Sequence, residues 1–276
     1  MMEKQIKTQL VAHGIIRLEL PARTLPPFTH INSYVVARDE KAVLIDPGFY
    51  EERSLEIVKE ALQNARLESI VLTHTHPDHI EGIPLVRKIF PEVPIFVHEL
   101  ELAKVSHFQN VHALEIEQVL GVGGLELQPI FTPGHSLGHV SFYEAVSGMT
   151  LVGDMLAGFG SIWIGTPDGN INNYFESLEK LKALNATALA PGHGDVIHNV
   201  SEKLDEVKQH RLQRLEQVVT ALKSKPLTLS ELRLQIYPEI DERMTSLAER
   251  SLLALLEKLE QDHKVSKTNN CWGLAR

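Results

Sequence analysis

The chain of 276 residues contains one cysteine, Cys271. A single thiol cannot pair within its own chain, so a disulfide framework is excluded and a reducing, cytoplasmic setting is expected. Aromatic side chains make up only 6% of the residues, and no basic, aromatic-lined platform for stacking single-stranded bases is visible. Long apolar runs are also missing. None reaches the length needed to span a bilayer, and Met1 to Thr8 lacks the apolar core of a signal peptide, so no membrane association is expected. Positive charge is short as well, with 27 Lys+Arg against 36 Asp+Glu. The deficit lies in residues 1–200, which hold 14 Lys+Arg against 24 Asp+Glu; residues 201–276 hold 13 against 12. An acidic front portion argues against a broad nucleic-acid surface. Internal repeats and low-complexity tracts are absent too.

Histidine is what the chain has instead, 14 of them. Thr73-His74-Thr75-His76-Pro77-Asp78-His79 places three imidazoles and a carboxylate directly after the apolar run Ile70-Val71-Leu72. These donors suit a borderline divalent metal, zinc first. His74 and His76 stand two apart where a strand runs out, so an extended backbone points both the same way. Asp78 and His79 are adjacent at the start of the next helix, after Pro77, and diverge. One pair is thereby offered to one metal and the other to a neighbouring metal. Three later motifs supply partners: Thr132-Pro133-Gly134-His135, Val152-Gly153-Asp154 and Ala190-Pro191-Gly192-His193-Gly194. Each ligand-type residue closes an apolar run beside a glycine, which lets backbone approach a crowded site.

This set, in this order, resembles the metallo-β-lactamase-fold hydrolase superfamily over residues 15–200, with Leu44-Ile45-Asp46-Pro47-Gly48 as a further match. The resemblance implies an α/β fold, a four-layer αββα sandwich with the site at one edge of its two sheets. It implies that His74, His76 and His135 hold one metal and Asp78, His79 and His193 the other. Asp154 and a water or hydroxide would bridge them, and Asp46 would orient ligands. Asp46 is equally readable as a strand-end carboxylate closing a turn. True zinc β-lactamases lack the bridging aspartate. The di-iron reductases of the fold carry glutamate where this chain has His76. The complete set looks like glyoxalase II and the tRNA-processing nucleases.

The front half alternates strands with helices. Strands are expected at 15–20, 32–37, 42–46, 70–72 and 94–98, and helices at 51–64 and 80–90. The stretch 157–173, rich in glycine, is expected to be a substrate loop. Asn172 or Asn173 would cap a helix over 174–184. Tyr174 is a candidate for a phosphate or carbonyl hydrogen bond and Trp163 for an apolar wall; packing is the alternative for both. His139 is read either as a ligand-supporting or as a structural histidine.

A second domain, 201–276, is expected after the catalytic domain 1–200. A long helix over 204–222 would be capped by Ser201. A short helix would end before Pro238, a third would cover 244–259, and a hairpin would turn at Asn269-Asn270. Three helices and a hairpin make a winged helix. Behind this catalytic domain it narrows the resemblance to the β-lactamase-like protein 2 family, which includes proteins described as single-strand endoribonucleases. The third helix exposes Glu249, Arg250, Glu257, Lys258, Glu260 and Asp262, more acid than base, so duplex DNA is not an expected partner. Packing or homo-oligomerisation is the expected role.

These readings lead to a binuclear hydrolase with two divalent ions, zinc before iron or manganese. A bridging hydroxide would attack an ester, thioester or phosphodiester, with Asp78 orienting it and relaying its proton. The substrate is a small molecule or single-stranded RNA. The alternatives are a single-strand endoribonuclease and a non-catalytic winged-helix regulator.

Overall fold

The computed structural model describes residues 7–275. They form two compact units. The first runs to Thr132 and adds Gly138–Gly160 and Leu184–Val200; the second gathers Pro133–Leu137, Ser161–Ala183 and the chain from Ser201 on.

In the first unit a seven-stranded sheet follows chain order: β1 (Lys7–Ala12), β2 (Ile15–Pro21), β3 (His30–Arg38), β4 (Lys41–Ile45), β5 (Arg66–Val71), β6 (Ile95–Val97) and β7 (Val111–Ala113). The first four strands are antiparallel neighbours, and β4 to β7 run parallel. The crossover from β4 to β5 is α1 (Glu52–Leu62), whose Leu55, Val58 and Leu62 fall on one buried face. The second sheet has the order β12-β11-β10-β9-β8, built from β8 (Leu120–Val122), β9 (Leu125–Phe131), β10 (Val140–Glu144), β11 (Met149–Ala157) and β12 (Ala188–His193). Only β11 and β12 are parallel there.

The sheets share an aliphatic core. Ile15, Val36, Ile45 and Val71 of the first cluster with Leu127, Val140, Phe142 and Leu151 of the second. The other face of the first sheet, including Leu18, Leu20, Val35 and Leu44, packs on α1 and on Ile83 and Val86. Each such buried side chain stabilises by about 1.5–3 kcal/mol, so the sandwich holds without many aromatics. The parallel strands β4 and β5, and β11 and β12, bring Asp46, His74, Asp154 and His193 to one edge.

The helix expected over 80–90 is interrupted. It forms as α2 (Pro77–Ile80) and α3 (Ile83–Arg87), and the short α4 (Leu102–Val105) follows β6. Gly82 sits between them and donates its N–H to Pro47 O at 2.7 Å. A Cβ there would stand 2.6 Å from that oxygen and 2.8 Å from Phe49 O. The close approach to the turn after Asp46 takes precedence over helix continuity.

The second unit holds α5 (Ile171–Ala183), α6 (Val200–Ala221), α7 (Leu229–Ile236), α8 (Thr245–Gln261) and a three-stranded sheet, β13 (Leu227–Thr228), β14 (Val265–Thr268) and β15 (Cys271–Leu274), in the order β13-β15-β14. Two expected caps are corrected. Ser201 lies inside α6, which starts at Val200. The α5 cap is Asn170, whose Oδ1 accepts from Asn173 N at 3.0 Å, so Asn172 and Asn173 are already helical. Thr228 and Glu231 form a reciprocal capping box on α7. The wing turns at Asn269 and Asn270, with φ of 47° and 63°, the left-handed pair that a two-residue hairpin requires. Among the described residues no helix is long and apolar enough to cross a membrane.

Candidate metal centre

Asp46 follows β4 in a left-handed conformation, φ 50°, and is 2% exposed. Its Oδ1 accepts from Thr73 N at 2.8 Å, and its Oδ2 accepts from Thr73 Oγ1 at 2.6 Å and His79 Nδ1 at 2.8 Å. The Thr73 hydroxyl proton is thereby committed to Asp46. Its oxygen then accepts from His74 Nδ1 at 3.0 Å. One carboxylate so orients two histidines, and each presents Nε2 to the site. His74 Nε2 lies 3.0 Å from His76 Nδ1.

His193, at the end of β12, donates from Nδ1 to His30 O at 2.7 Å and stacks on Phe28 with ring centroids 4.8 Å apart. Its loop is clamped from β2 and β3. Asn32 Nδ2 donates to Pro191 O and Gly194 O at 2.9 and 2.7 Å, and Tyr34 Oη to Pro191 O at 2.7 Å. The buried Arg17 reaches Gly194 O at 3.3 Å and Asp195 at 3.1 Å. Asp154, on β11, donates its amide to His139 Nε2 at 3.1 Å. His139 Nδ1 in turn meets Thr132 Oγ1 at 3.0 Å, so this buried histidine supports Asp154.

Two donor groups result in the first unit: His74, His79 and Asp154, and Asp78, His79 and His193, the ligand atoms of each lying within 4.8 Å of one another. His79 Nε2 is 3.3 Å from Asp154 Oδ1. His193 Nε2 is 3.4 Å from Asp78 Oδ2 and 3.6 Å from Asp154 Oδ1. These separations are long for hydrogen bonds. They match the edge of a tetrahedron of N and O ligands at about 2.0–2.1 Å from zinc, roughly 3.3 Å. Among the described residues the buried His79 Nε2 has no hydrogen-bond partner. A Cβ on Gly192 would stand 2.5 Å from Asp154 Oδ1 and 2.9 Å from His79 Cε1, so the cradle has room for ligands and not for a side chain. The donor set fits divalent metal.

The charges agree. Burial pulls the His193 imidazole down, but Asp154 and Asp78 outweigh it and push it up to about 9. Burial likewise opposes charge on His79, and Asp154 and Asp46 raise it well above the ordinary range. Burial would raise Asp78; the His193 imidazole 3.4 Å away and the charge on His79 hold it at about 2. The carboxylates demand cations, and the imidazoles answer that demand with protons.

His135 belongs to the second unit. It is buried and donates from Nδ1 to Trp163 O at 2.7 Å, the backbone-carbonyl pairing usual for metal-binding histidine. The Trp163 side chain donates Nε1 to Leu247 O at 3.0 Å. Tyr174 is 1% exposed, with the Arg211 guanidinium 5.9 Å from its ring centre; burial pushes its phenol up to about 12.

Sequence reading missed Glu101. This fully buried carboxylate accepts from Thr75 Oγ1 and from Gly138 N at 3.0 Å, and pairs with Lys104 at 3.0 Å. It ties the residue between His74 and His76 to the turn before β10. Only the glycine at 138, where a Cβ would come within 2.5 Å of Glu101 Cγ, hinted at a close neighbour.

Residues 26–193 match the family described as Metallo-beta-lactamase superfamily, and residues 228–272 match Beta-lactamase associated winged helix domain. A Beta-lactamase-like protein 2 homolog from Caenorhabditis elegans is 31% identical over 245 residues, 86% of this chain and 81% of the relative. An atrochrysone carboxyl ACP thioesterase from Aspergillus fumigatus is 30% identical over 195 residues, 70% of this chain and 60% of the relative. The crystal structure of a metallo-beta-lactamase family protein from Thermus thermophilus superposes with a TM-score of 0.82 at 25% identity, covering 96% of this chain and 100% of that one.

Proposed function

The chain belongs to the metallo-beta-lactamase superfamily and carries its associated winged-helix domain, and from that premise we propose that this hydrolase is a two-metal enzyme acting on a thioester. The observation that supports the two-metal reading is Asp154, which shares one donor group with His74 and His79 and has Oδ1 3.6 Å from His193 of the other. His74, His76 and His135 are assigned to one ion and Asp78, His79 and His193 to the other, with Asp154 common to both. Zinc suits imidazole and carboxylate best; iron and manganese accept the same donors. When bound, two such ions supply an acidified water and polarise the scissile carbonyl.

The chain's own groups do the rest. Asp46, His30 O and Trp163 O hold His79, His193 and His135 in the tautomer that ligates through Nε2. Asp78, whose Oδ2 lies 3.4 Å from His193 Nε2, would accept a hydrogen bond from the attacking water and relay its proton. A thiolate leaves without needing that proton, whereas a lactam nitrogen requires it.

The relative named as an ACP thioesterase supports the thioester. The resemblance to the β-lactamase-like protein 2 family supports a second reading, cleavage of single-stranded RNA, against which stands the acid excess of residues 1–200. Duplex DNA lies outside the proposal, because residues on the exposed side of α8 are acidic in excess. Initial rates on an acyl thioester, single-stranded RNA, a model phosphodiester and a β-lactam, at one zinc loading, are the test. Thioester hydrolysis that chelator abolishes is expected to lead. RNA cleavage without thioester turnover would replace this reading by the nuclease one.

A further inference from the structure

The winged-helix domain is more than an appendage: we infer that it positions His135, and that Arg211 and Trp163 are the positioning residues. The inference rests on His135 being a ligand, as proposed above, and extends it to a role for helices far away in sequence.

His135 sits in the turn Pro133–Leu137, which groups with the helices of the second unit and not with the strand that precedes it. The turn is fastened to α5. Ser177 Oγ donates to Pro133 O at 2.7 Å, and Asn170 N donates to Gly134 O at 2.8 Å. Gly134 has φ 145°, and a Cβ on it would come within 2.4 Å of Tyr174 Cα, so the helix lies directly on the turn.

The ring itself is aimed by one atom, the carbonyl oxygen of Trp163. The segment carrying that carbonyl has no helix or strand of its own. It is suspended from the C-terminal helices. On α6, the 8% exposed Arg211 donates Nη2 to Ile162 O, one peptide before the Trp163 carbonyl. On α8, Leu247 O accepts from Trp163 Nε1 at 3.0 Å and Arg250 O accepts from Thr166 N at 3.2 Å. Gly165 lets the indole lie against the backbone, since a Cβ there would meet Trp163 Cζ2 at 2.3 Å. A guanidinium buried to bond one loop carbonyl is a large desolvation cost, which packing alone would avoid with an aliphatic side chain. Its geometry is accounted for by what the loop carries.

The test uses the full chain. Arg211→Met and Trp163→Phe each remove one anchor; His135→Ala removes the ligand; Gln209→Ala, at an exposed position of α6, is the control. Zinc is titrated against a chromophoric chelator, and the histidine ring nitrogens of the metal-free protein are followed by long-range ¹H–¹⁵N spectra. Both anchor variants are expected to weaken one of two zinc equivalents by about 10–100-fold and to erase the His135 Nδ1–H signature, with Arg211→Lys recovering part and Gln209→Ala unchanged. If Arg211→Met does not fold, Trp163→Phe carries the same test through the other anchor. Folded anchor variants with wild-type zinc titration and an unchanged His135 signal would overturn the inference. Should His135→Ala itself keep both equivalents, the ligand assignment fails instead, while the ring signature of the anchor variants still reports on the positioning.

Discussion

Asp46 and His79 are joined by a 2.8 Å hydrogen bond from the imidazole Nδ1–H to the carboxylate, and the same oxygen accepts the Thr73 hydroxyl. The Asp46 carboxylate accepts from three donors, Thr73 N, Thr73 Oγ1 and His79 Nδ1. Asp46→Asn must turn an amide N–H against at least one of them. Zinc binding about 10–100-fold weaker and a stability loss of roughly 1–3 kcal/mol are expected, read by chelator competition and by urea unfolding of the metal-free chain. Wild-type values in both would remove Asp46 from its orienting role.

Asp154→Ala should lower zinc content more than His193→Ala, because the proposal assigns the first to both ions and the second to only one. Metal analysis after dialysis against a weak chelator decides it. An Asp154 variant that keeps two ions per chain would break the bridge.

Gly192→Ala tests the cradle without touching a ligand. Its methyl, 2.5 Å from Asp154 Oδ1, has to displace the carboxylate or the β12 backbone. The expected result is a folded protein whose zinc occupancy falls towards that of Asp154→Ala. Full occupancy would mean that the edge of the sheet yields freely.

Glu101→Ala leaves Gly138 N–H and the Thr75 hydroxyl buried without their acceptor, at a cost of about 2–4 kcal/mol. Denaturant unfolding of the metal-free protein should show it, with Glu101→Gln intermediate because an amide keeps one acceptor. A change below about 0.5 kcal/mol would show that the turn finds another partner.

Much of this was legible in the sequence for a local reason. Donor residues stand at or just past strand ends, which apolar runs ending in glycine or proline mark, so the places of His74, His76 and His193 could be read off directly; Asp154 lies inside β11, which runs on to Ala157. The family resemblance supplied their grouping. Less could be read where tertiary contact outweighs local pattern. The helix over 80–90 breaks because Gly82 meets the Asp46 turn. β7 and β8 are three residues each, too short to carry periodicity. Glu101 lies just after a strand like many exposed acids, and nothing near it in sequence announces burial. Trp163 was read for its ring, but its carbonyl is what touches His135; main-chain atoms carry no residue-specific signal. Tyr174 was weighed as a substrate contact and is found buried beside Arg211.

The second unit is discontinuous, and that has a consequence in time. A ribosome releases His135 well before Arg211 and Leu247 exist. Domains fold as they emerge, N-terminal portions first, so the sandwich strands can pair while the turn bearing His135 still lacks the helices that hold it. The donors on the first unit, His74, His79, Asp78, Asp154 and His193, are complete once β12 has emerged. Those five donors would therefore be available to a metal ion before the helices that fasten the His135 turn are made.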